Sequence, residues 1–228
     1  MIRVITVERE FGSGGADIAH ELASHLGWKL YDHLLTDEIA RLMGCDCKAV
    51  EEREETQDSL RHRLFKAFMR GSFEGSQKAQ TIRMVDADCI REAAEKVVKA
   101  AAKDGNAVIV GRGSMYYLRG RPDAFHVYIY APFEEKVARL RRKGHSAEEA
   151  AELAETVDRD RAAYVKQYFD VDDWPPRYLF ELMINSTIGV ANVVQTILDA
   201  VALRERTSPA SPPDLLHTGS AASDTAIR

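Results

Sequence analysis

Residues 12–15 combine three glycines and a serine directly behind a short β-branched run at residues 2–7. Glycine tolerates the positive φ angles with which backbone N–H groups turn toward a common centre. Residues 18–27 follow with the apolar spacing of an amphipathic helix, whose positive end would face the same centre. A strand, a glycine-rich turn and a helix in this order predict a phosphate-binding loop. Its members are Gly12, Ser13, Gly14 and Gly15.

The charged part of the common phosphate-loop motif, G-x-x-x-x-G-K-[ST], is missing from this loop. With Gly14 as the second glycine, Gly15 stands at the lysine position and Ala16 at the hydroxyl position. The leading glycine position holds Arg9, the only basic residue in the loop. Arg9 could supply the missing charge, or it could form a salt bridge with a neighbouring carboxylate. The neighbouring carboxylates are Glu8, Glu10 and Asp17.

The composition of the chain limits the classes of function. Its 228 residues are 45% hydrophobic, enough for one domain with an insertion, and the net charge of −5 gives no support for a nucleic-acid surface. The apolar runs are strand-sized, so no membrane span is predicted, and the immediate first strand leaves no room for a signal peptide. The cysteines Cys45, Cys47 and Cys89 lack zinc spacing and are interpreted as reduced thiols. We therefore expect a cytoplasmic protein.

Strand-like and helix-like segments alternate along the chain. The predicted strands cover residues 2–7, 28–31, 107–110, 125–131 and 179–185. The predicted helices cover residues 18–27, 33–43, 84–103, 133–143, 146–168 and 190–203. Five apolar strands alternating with helices predict an α/β fold with a parallel sheet covered on both faces. Ligands bind beyond the carboxyl ends of such strands, where the glycine loop, Asp32, Arg112 and Asn185 would meet.

The predicted organisation is a single domain over residues 1–204. Residues 44–80 differ in composition from the flanking segments, since they contain a charge run and a basic helical stretch, and they are interpreted as a helical insertion. The basic stretch at residues 60–70 could be a solvated helix face or an anion-binding face. Residues 205–228 contain Pro, Ser, Ala and Thr without periodicity, which predicts a disordered tail.

Six segments taken in order resemble the P-loop nucleoside-monophosphate kinases, and most closely the cytidylate kinase-like family. They are residues 6–15, 31–32, 111–113, 128–132, 158–164 and 184–187. Each segment alone is weak, but together they are fairly specific and span roughly residues 1–204. Kinase-like relatives in this family share the glycine loop without the lysine. The resemblance implies a three-layer sandwich with a nucleotide-acceptor insertion at about 44–80 and a lid at about 144–175.

The resemblance also implies a role for each matching position. The glycine loop would wrap the phosphates of ATP, and Arg159 and Arg161 would contact phosphate oxygens as the lid closes. Asp32, Arg112 and Asp158 would lie on the acceptor side. Phosphoryl transfer requires mainly positioning and charge neutralisation, which is why arginines are expected there.

Alternatives remain for several of these charged residues. Asp17 could help to hold Mg²⁺ through water, or it could be a first-turn carboxylate favoured by the helix dipole. Arg112 could belong to a surface ion pair. Arg159 and Arg161 could be ordinary exposed charges.

The leading hypothesis is an enzyme that uses Mg²⁺ and transfers the γ-phosphate of ATP to a small acceptor, first a nucleoside monophosphate such as CMP. Its partners would be small-molecule nucleotides, with neither nucleic acid nor membrane. One rival is a non-catalytic nucleotide- or anion-binding protein on the same fold. Another is a kinase of a different small molecule.

Overall fold

The computed structural model describes residues 1–32 and 87–207. These residues contain one five-stranded sheet whose neighbouring strands are all parallel. The strands are β1 (Val4–Arg9), β2 (Lys29–Tyr31), β3 (Ala107–Val110), β4 (Ala124–Tyr130) and β5 (Leu182–Asn185). Their order across the sheet is β2-β3-β1-β4-β5. The predicted α/β fold with a five-stranded parallel sheet is confirmed.

Six α-helices connect and cover these strands within the described residues. They are α1 (Gly15–Leu26), α2 (Ala87–Asp104), α3 (Ser114–Tyr117), α4 (Phe133–Arg142), α5 (Ala147–Phe169) and α6 (Val190–Thr207). Short 3₁₀ turns cover Arg177–Leu179 and Ser186–Ile188. None of the helices in the described part of the chain is long and apolar enough to cross a membrane.

The central strand β1 separates two apolar layers. Ile5 and Val7 pack in a cluster with residues of α1 and α6, whereas Val4 belongs to a cluster with α2. Successive strand residues point to opposite faces of a sheet, which accounts for this division. All four residues of β3 are fully buried, as expected for a parallel sheet covered on both faces.

Helix α5, which falls within the predicted lid segment, begins at the predicted cap. The Ser146 hydroxyl accepts a hydrogen bond from the Glu149 N–H (3.1 Å), which leaves fewer N–H groups unsatisfied at the helix start. The Glu149 carboxylate instead lies 3.0 Å from His145 Nδ1, outside the reciprocal contact of a full capping box. The helix continues unbroken to Phe169.

Several predicted boundaries differ from the structure, among them the first strand, which covers Val4–Arg9 rather than residues 2–7. The fifth strand begins at Leu182 rather than at residue 179, because the Leu179 N–H donates to the Pro176 carbonyl (3.0 Å) and closes a 3₁₀ turn. The last helix continues to Thr207, so residues 205–207 are helical and not part of a tail. Arg204, near the end of this helix, contacts the Glu181 carboxylate at 2.9 Å.

Three predicted features lie outside the described residues. These are the helix at 33–43, the insertion at 44–80 and the tail from residue 208 onward. The predicted helix at 84–103 is described from Ala87.

Candidate functional site

The glycine loop joins the carboxyl end of β1 to the first turn of α1. Gly12 and Gly14 have φ angles of 77° and 79°, in the left-handed region that glycine favours, and Gly15 is the first residue of α1. The Ser13 side chain turns inward, and its hydroxyl donates to the Glu10 carbonyl at 2.8 Å. The loop therefore has the strand–turn–helix geometry of a phosphate cradle, formed by backbone and not by the serine side chain.

A pocket of about 190 Å³ opens directly on this loop. Its lining consists of Gly12, Gly14, Asp17, Arg139, Leu140, Arg142 and Lys143. Three of these residues are basic and one is acidic, so the pocket favours an anion. The basic residues come from the end of α4 and the residue after it. These basic residues were not among the predicted site residues. The basic run at 139–143 could have indicated them, but such a run is also typical of a helix C-terminus.

Arg139 connects the glycine loop with the turn that follows β5. Its guanidinium donates to the Ser13 carbonyl (2.6 Å), to the Ser186 hydroxyl (2.9 Å) and to the Ser186 carbonyl (3.3 Å). The Ser186 hydroxyl itself donates to the Ser13 carbonyl at 2.6 Å. Because the Ser13 carbonyl accepts two such bonds, the orientation of the loop depends on a cation that is distant in sequence.

A buried ionic network holds α5 against the loop. The Asp158 carboxylate accepts from the Phe11 N–H (2.8 Å), and it contacts Arg161 at 3.1 Å and Lys136 at 3.2 Å. Arg161 also donates to the Arg9 carbonyl at 2.7 Å. Since Arg161 is only 9% exposed, the alternative of an ordinary exposed charge is wrong for this residue.

Arg159 differs from Arg161 in its environment. Arg159 is exposed. Residues two positions apart on an α-helix, such as Arg159 and Arg161, project about 200° away from each other. The structure therefore brings Arg161 to the loop but leaves Arg159 on the solvent side of α5.

A second charged cluster lies at the carboxyl edge between β1, β2 and β3. The Arg9 guanidinium is 3.9 Å from the Asp32 carboxylate, and both side chains are buried. Arg112, 3% exposed, lies with them, so its interpretation as a surface ion pair is wrong. Burial and the Arg9 charge lower the pKa of Arg112, and the Asp32 carboxylate opposes this shift. Burial also raises the pKa of Glu8, one of the carboxylates that the sequence offered as a partner of Arg9, and the charge of Arg9 opposes this shift.

The turn after β3 adopts an unusual backbone conformation around this cluster. Gly111, Arg112 and Gly113 have φ angles of 64°, 59° and 68°. A positive φ is uncommon for a residue with a Cβ and carries strain. At Gly111 an added Cβ would lie 2.5 Å from Arg9 Nη1. The backbone of this turn therefore packs directly against the Arg9 guanidinium.

The family assignment follows from this arrangement together with a match along the chain. A model of the cytidylate kinase-like family matches residues 4–188. The chain belongs to this family. It is 26% identical over 204 residues to a cytidylate kinase from Thermococcus kodakarensis, a match that covers 86% of this chain and 88% of the relative.

A solved structure shows the same fold. A protein of unknown role from Eubacterium ventriosum superimposes with a TM-score of 0.62 at 22% identity, covering 89% of this chain and 99% of the other. Shikimate kinase from Bacteroides thetaiotaomicron has a TM-score of 0.49 at 13% identity, with coverage of 89% and 99%.

Gly14 offers a direct test of the phosphate cradle. We expect Gly14→Val to weaken ATP binding about tenfold or more, because a residue with a Cβ strains the left-handed backbone by roughly 1–2 kcal/mol. Isothermal titration with ATP and with sulfate measures this effect. Gly120→Val is the control, since Gly120 has a similar φ of 77° and nothing within 4 Å of its Cβ position. Equal losses of binding in both variants would contradict the assignment of the loop.

Proposed function

We propose that this protein transfers the γ-phosphate of ATP to a small acceptor, most directly a nucleoside monophosphate such as CMP. The observation that carries the proposal is the glycine loop, which opens on a basic pocket and adjoins a buried arginine–carboxylate cluster at the same sheet edge. Membership of the cytidylate kinase-like family supports phosphoryl transfer in general. The choice of CMP rests on the relative from Thermococcus kodakarensis.

The donor side of the proposed reaction is the glycine loop. Backbone N–H groups of Gly12, Ser13, Gly14 and Gly15 would bind the phosphates of ATP, and the start of α1 would add its partial positive charge. Mg²⁺, when bound, would neutralise phosphate charge. Asp17 is exposed, lines the pocket and has the hard oxygen ligands suited to holding this ion through water, whereas Ala16 offers no hydroxyl.

The acceptor side of the proposed reaction is the cluster of Arg9, Asp32 and Arg112. Arginines with fixed guanidinium groups suit phosphate oxygens, and the carboxylate keeps them oriented. Arg161 would act as a positioning residue, because it holds the backbone of Arg9 from α5. Asp158 would couple the lid to the loop through the Phe11 N–H. Arg159 remains a proposed phosphate contact for a closed lid.

One specific observation favours the rival function of non-catalytic nucleotide binding. The loop presents Gly15 and Ala16 where the common motif has a lysine and a hydroxyl residue. Such a loop retains the backbone cradle for an anion but lacks two groups that usually act on the phosphates and Mg²⁺. A kinase of a different small molecule is the third candidate, because residues 44–80 of the proposed acceptor insertion lie outside the described chain.

ATP turnover with a panel of acceptors tests the proposal. We expect ADP formation that requires both Mg²⁺ and a nucleoside monophosphate, with CMP among the best acceptors. Omission of the acceptor and addition of EDTA are the controls. ATP binding without transfer to any acceptor would favour the binding protein, and transfer only to an acceptor that is not a nucleotide would favour the third candidate.

A further inference from the structure

Gly15 has no backbone reason to be glycine. It is the first residue of α1, and it is not among the glycines with positive φ. Alanine is a better helix former than glycine at such a position. The absence of a side chain at this position therefore requires another explanation.

The explanation is the side chain of Arg9. A Cβ added to Gly15 would lie 2.7 Å from Arg9 Cβ, 3.0 Å from its Cγ and 3.1 Å from its Cδ. These are the three nearest atoms, and a separation below 3.0 Å is not tolerated without a shift. The aliphatic part of Arg9 thus fills the volume into which a side chain at position 15 would extend.

Arg9 and Gly15 occupy the first and the seventh position of the eight-residue phosphate-loop motif. That motif has glycine at the first position and lysine at the seventh, whereas this chain has arginine first and glycine seventh. We propose that the cation and the glycine have exchanged places, so that Arg9 brings the phosphate-binding charge from the end of β1 through the space of the missing lysine. This inference rests on the proposed function of the loop.

The far end of Arg9 fits the same interpretation. Its guanidinium extends from the end of β1 into the cluster with Asp32 and Arg112, 3.9 Å from the Asp32 carboxylate. Gly111 provides the space for this group, since a Cβ there would lie 2.5 Å from Nη1. One arginine is therefore accommodated by glycines in two separate loops. A buried guanidinium held in this way would serve both the donor and the acceptor sides of the proposed reaction.

Four other cations lie near the loop, of which Arg142 and Lys143 line the pocket from the exposed end of α4. The remaining two, Lys136 and Arg139, are less suited to this task. Lys136 Nζ lies 3.2 Å from carboxylate oxygens of both Glu10 and Asp158, so its charge is already balanced. Arg139 donates to the Ser13 carbonyl and to Ser186, which assigns it to the orientation of the loop. Arg9 is the cation whose aliphatic stem occupies the Cβ position of residue 15, where the motif has its lysine.

A coupled substitution tests the steric part without measuring activity. Gly15→Ala should lower the midpoint of thermal unfolding in the natural protein, because the methyl group meets Arg9. In an Arg9→Gly background the same change should raise the midpoint, because the Cβ, Cγ and Cδ that the methyl group would meet are all absent and only the gain in helix propensity remains. Arg9→Met keeps the aliphatic stem without its charge and should retain the penalty. Gly120→Ala is the control and should have the same effect in all backgrounds. The same sign of the Gly15→Ala effect in all three backgrounds would overturn the inference.

A variant in which the cation returns to position 15 and the glycine to position 9 tests whether the charge of Arg9 binds phosphate. Arg9→Gly should weaken ATP binding about tenfold or more through loss of a charged donor, and Gly15→Lys alone should destabilise the protein. The double variant Arg9→Gly/Gly15→Lys should recover both stability and ATP affinity. If it binds ATP no better than Arg9→Gly, the exchange is wrong even where the natural protein transfers phosphate. If the double variant recovers ATP affinity while the natural protein transfers no phosphate, the inferred exchange is supported and the proposed enzymatic function is wrong.

Discussion

Replacement of Arg9 by alanine should reduce phosphate transfer by a factor on the order of 10² or more, the scale for losing one preorganised charge at a reacting centre. Charge neutralisation is the main contribution of a protein to phosphoryl transfer, and the glycine loop has no lysine to provide it. The expected change is in kcat more than in KM, because the charge that develops during transfer is what the guanidinium stabilises.

Stability should also decrease in Arg9→Ala. A surface ion pair contributes at most about 1 kcal/mol, but Arg9 is 5% exposed and lies beside the buried carboxylate of Asp32. We therefore expect a loss of free energy of unfolding larger than about 1 kcal/mol. Turnover must be measured at a temperature where the variant is folded, as checked by circular dichroism.

Arg121→Ala is the matched control for this prediction. Arg121 forms a 2.6 Å ion pair with Asp123 just before β4, at the opposite edge of the sheet, and its removal should leave turnover unchanged. Unchanged turnover in Arg9→Ala would show that its charge is not used. If Arg161→Ala abolished turnover while Arg9→Ala did not, the charge would come from α5 instead.

Replacement of Asp158 by alanine should lower the free energy of unfolding by about 3–5 kcal/mol, the range for breaking a buried ion pair from one side. The change removes the acceptor of the Phe11 N–H and leaves Arg161 and Lys136 buried with less negative charge around them. Urea unfolding followed by tryptophan fluorescence measures the loss.

Asp123→Ala serves as the comparison for Asp158→Ala. Its carboxylate pairs with Arg121 at a partly exposed site, so its loss should cost no more than about 1 kcal/mol. Similar losses in the two variants would mean that the network around Asp158 does not anchor α5. A selective loss in Asp158→Ala would support the role of this carboxylate in joining α5 to the loop.

The sequence by itself determined the framework of the protein. β-branched runs marked the strands at the centre of the sheet, because strands buried on both faces must be apolar throughout. The spacing of glycines after β1 predicted the loop, since positive φ at Gly12 and Gly14 is a local requirement. Family membership was likewise evident from short segments in a fixed order, and the match over residues 4–188 confirms it.

Only the tertiary structure decided which charges meet. Arg9 shares a cluster with Asp32 of another segment as well as with Glu8, one of the three nearby carboxylates that the sequence suggested. Likewise, the role of Arg139 in orienting the loop depends on contacts with Ser13 and Ser186.

Arg159 and Arg161 are equivalent as sequence, yet α5 buries one and exposes the other. The physical reason is that hydrophobic periodicity in the sequence predicts which side of a helix or strand is buried. It does not predict the partner of a long charged side chain, because packing brings that partner from a distant part of the chain.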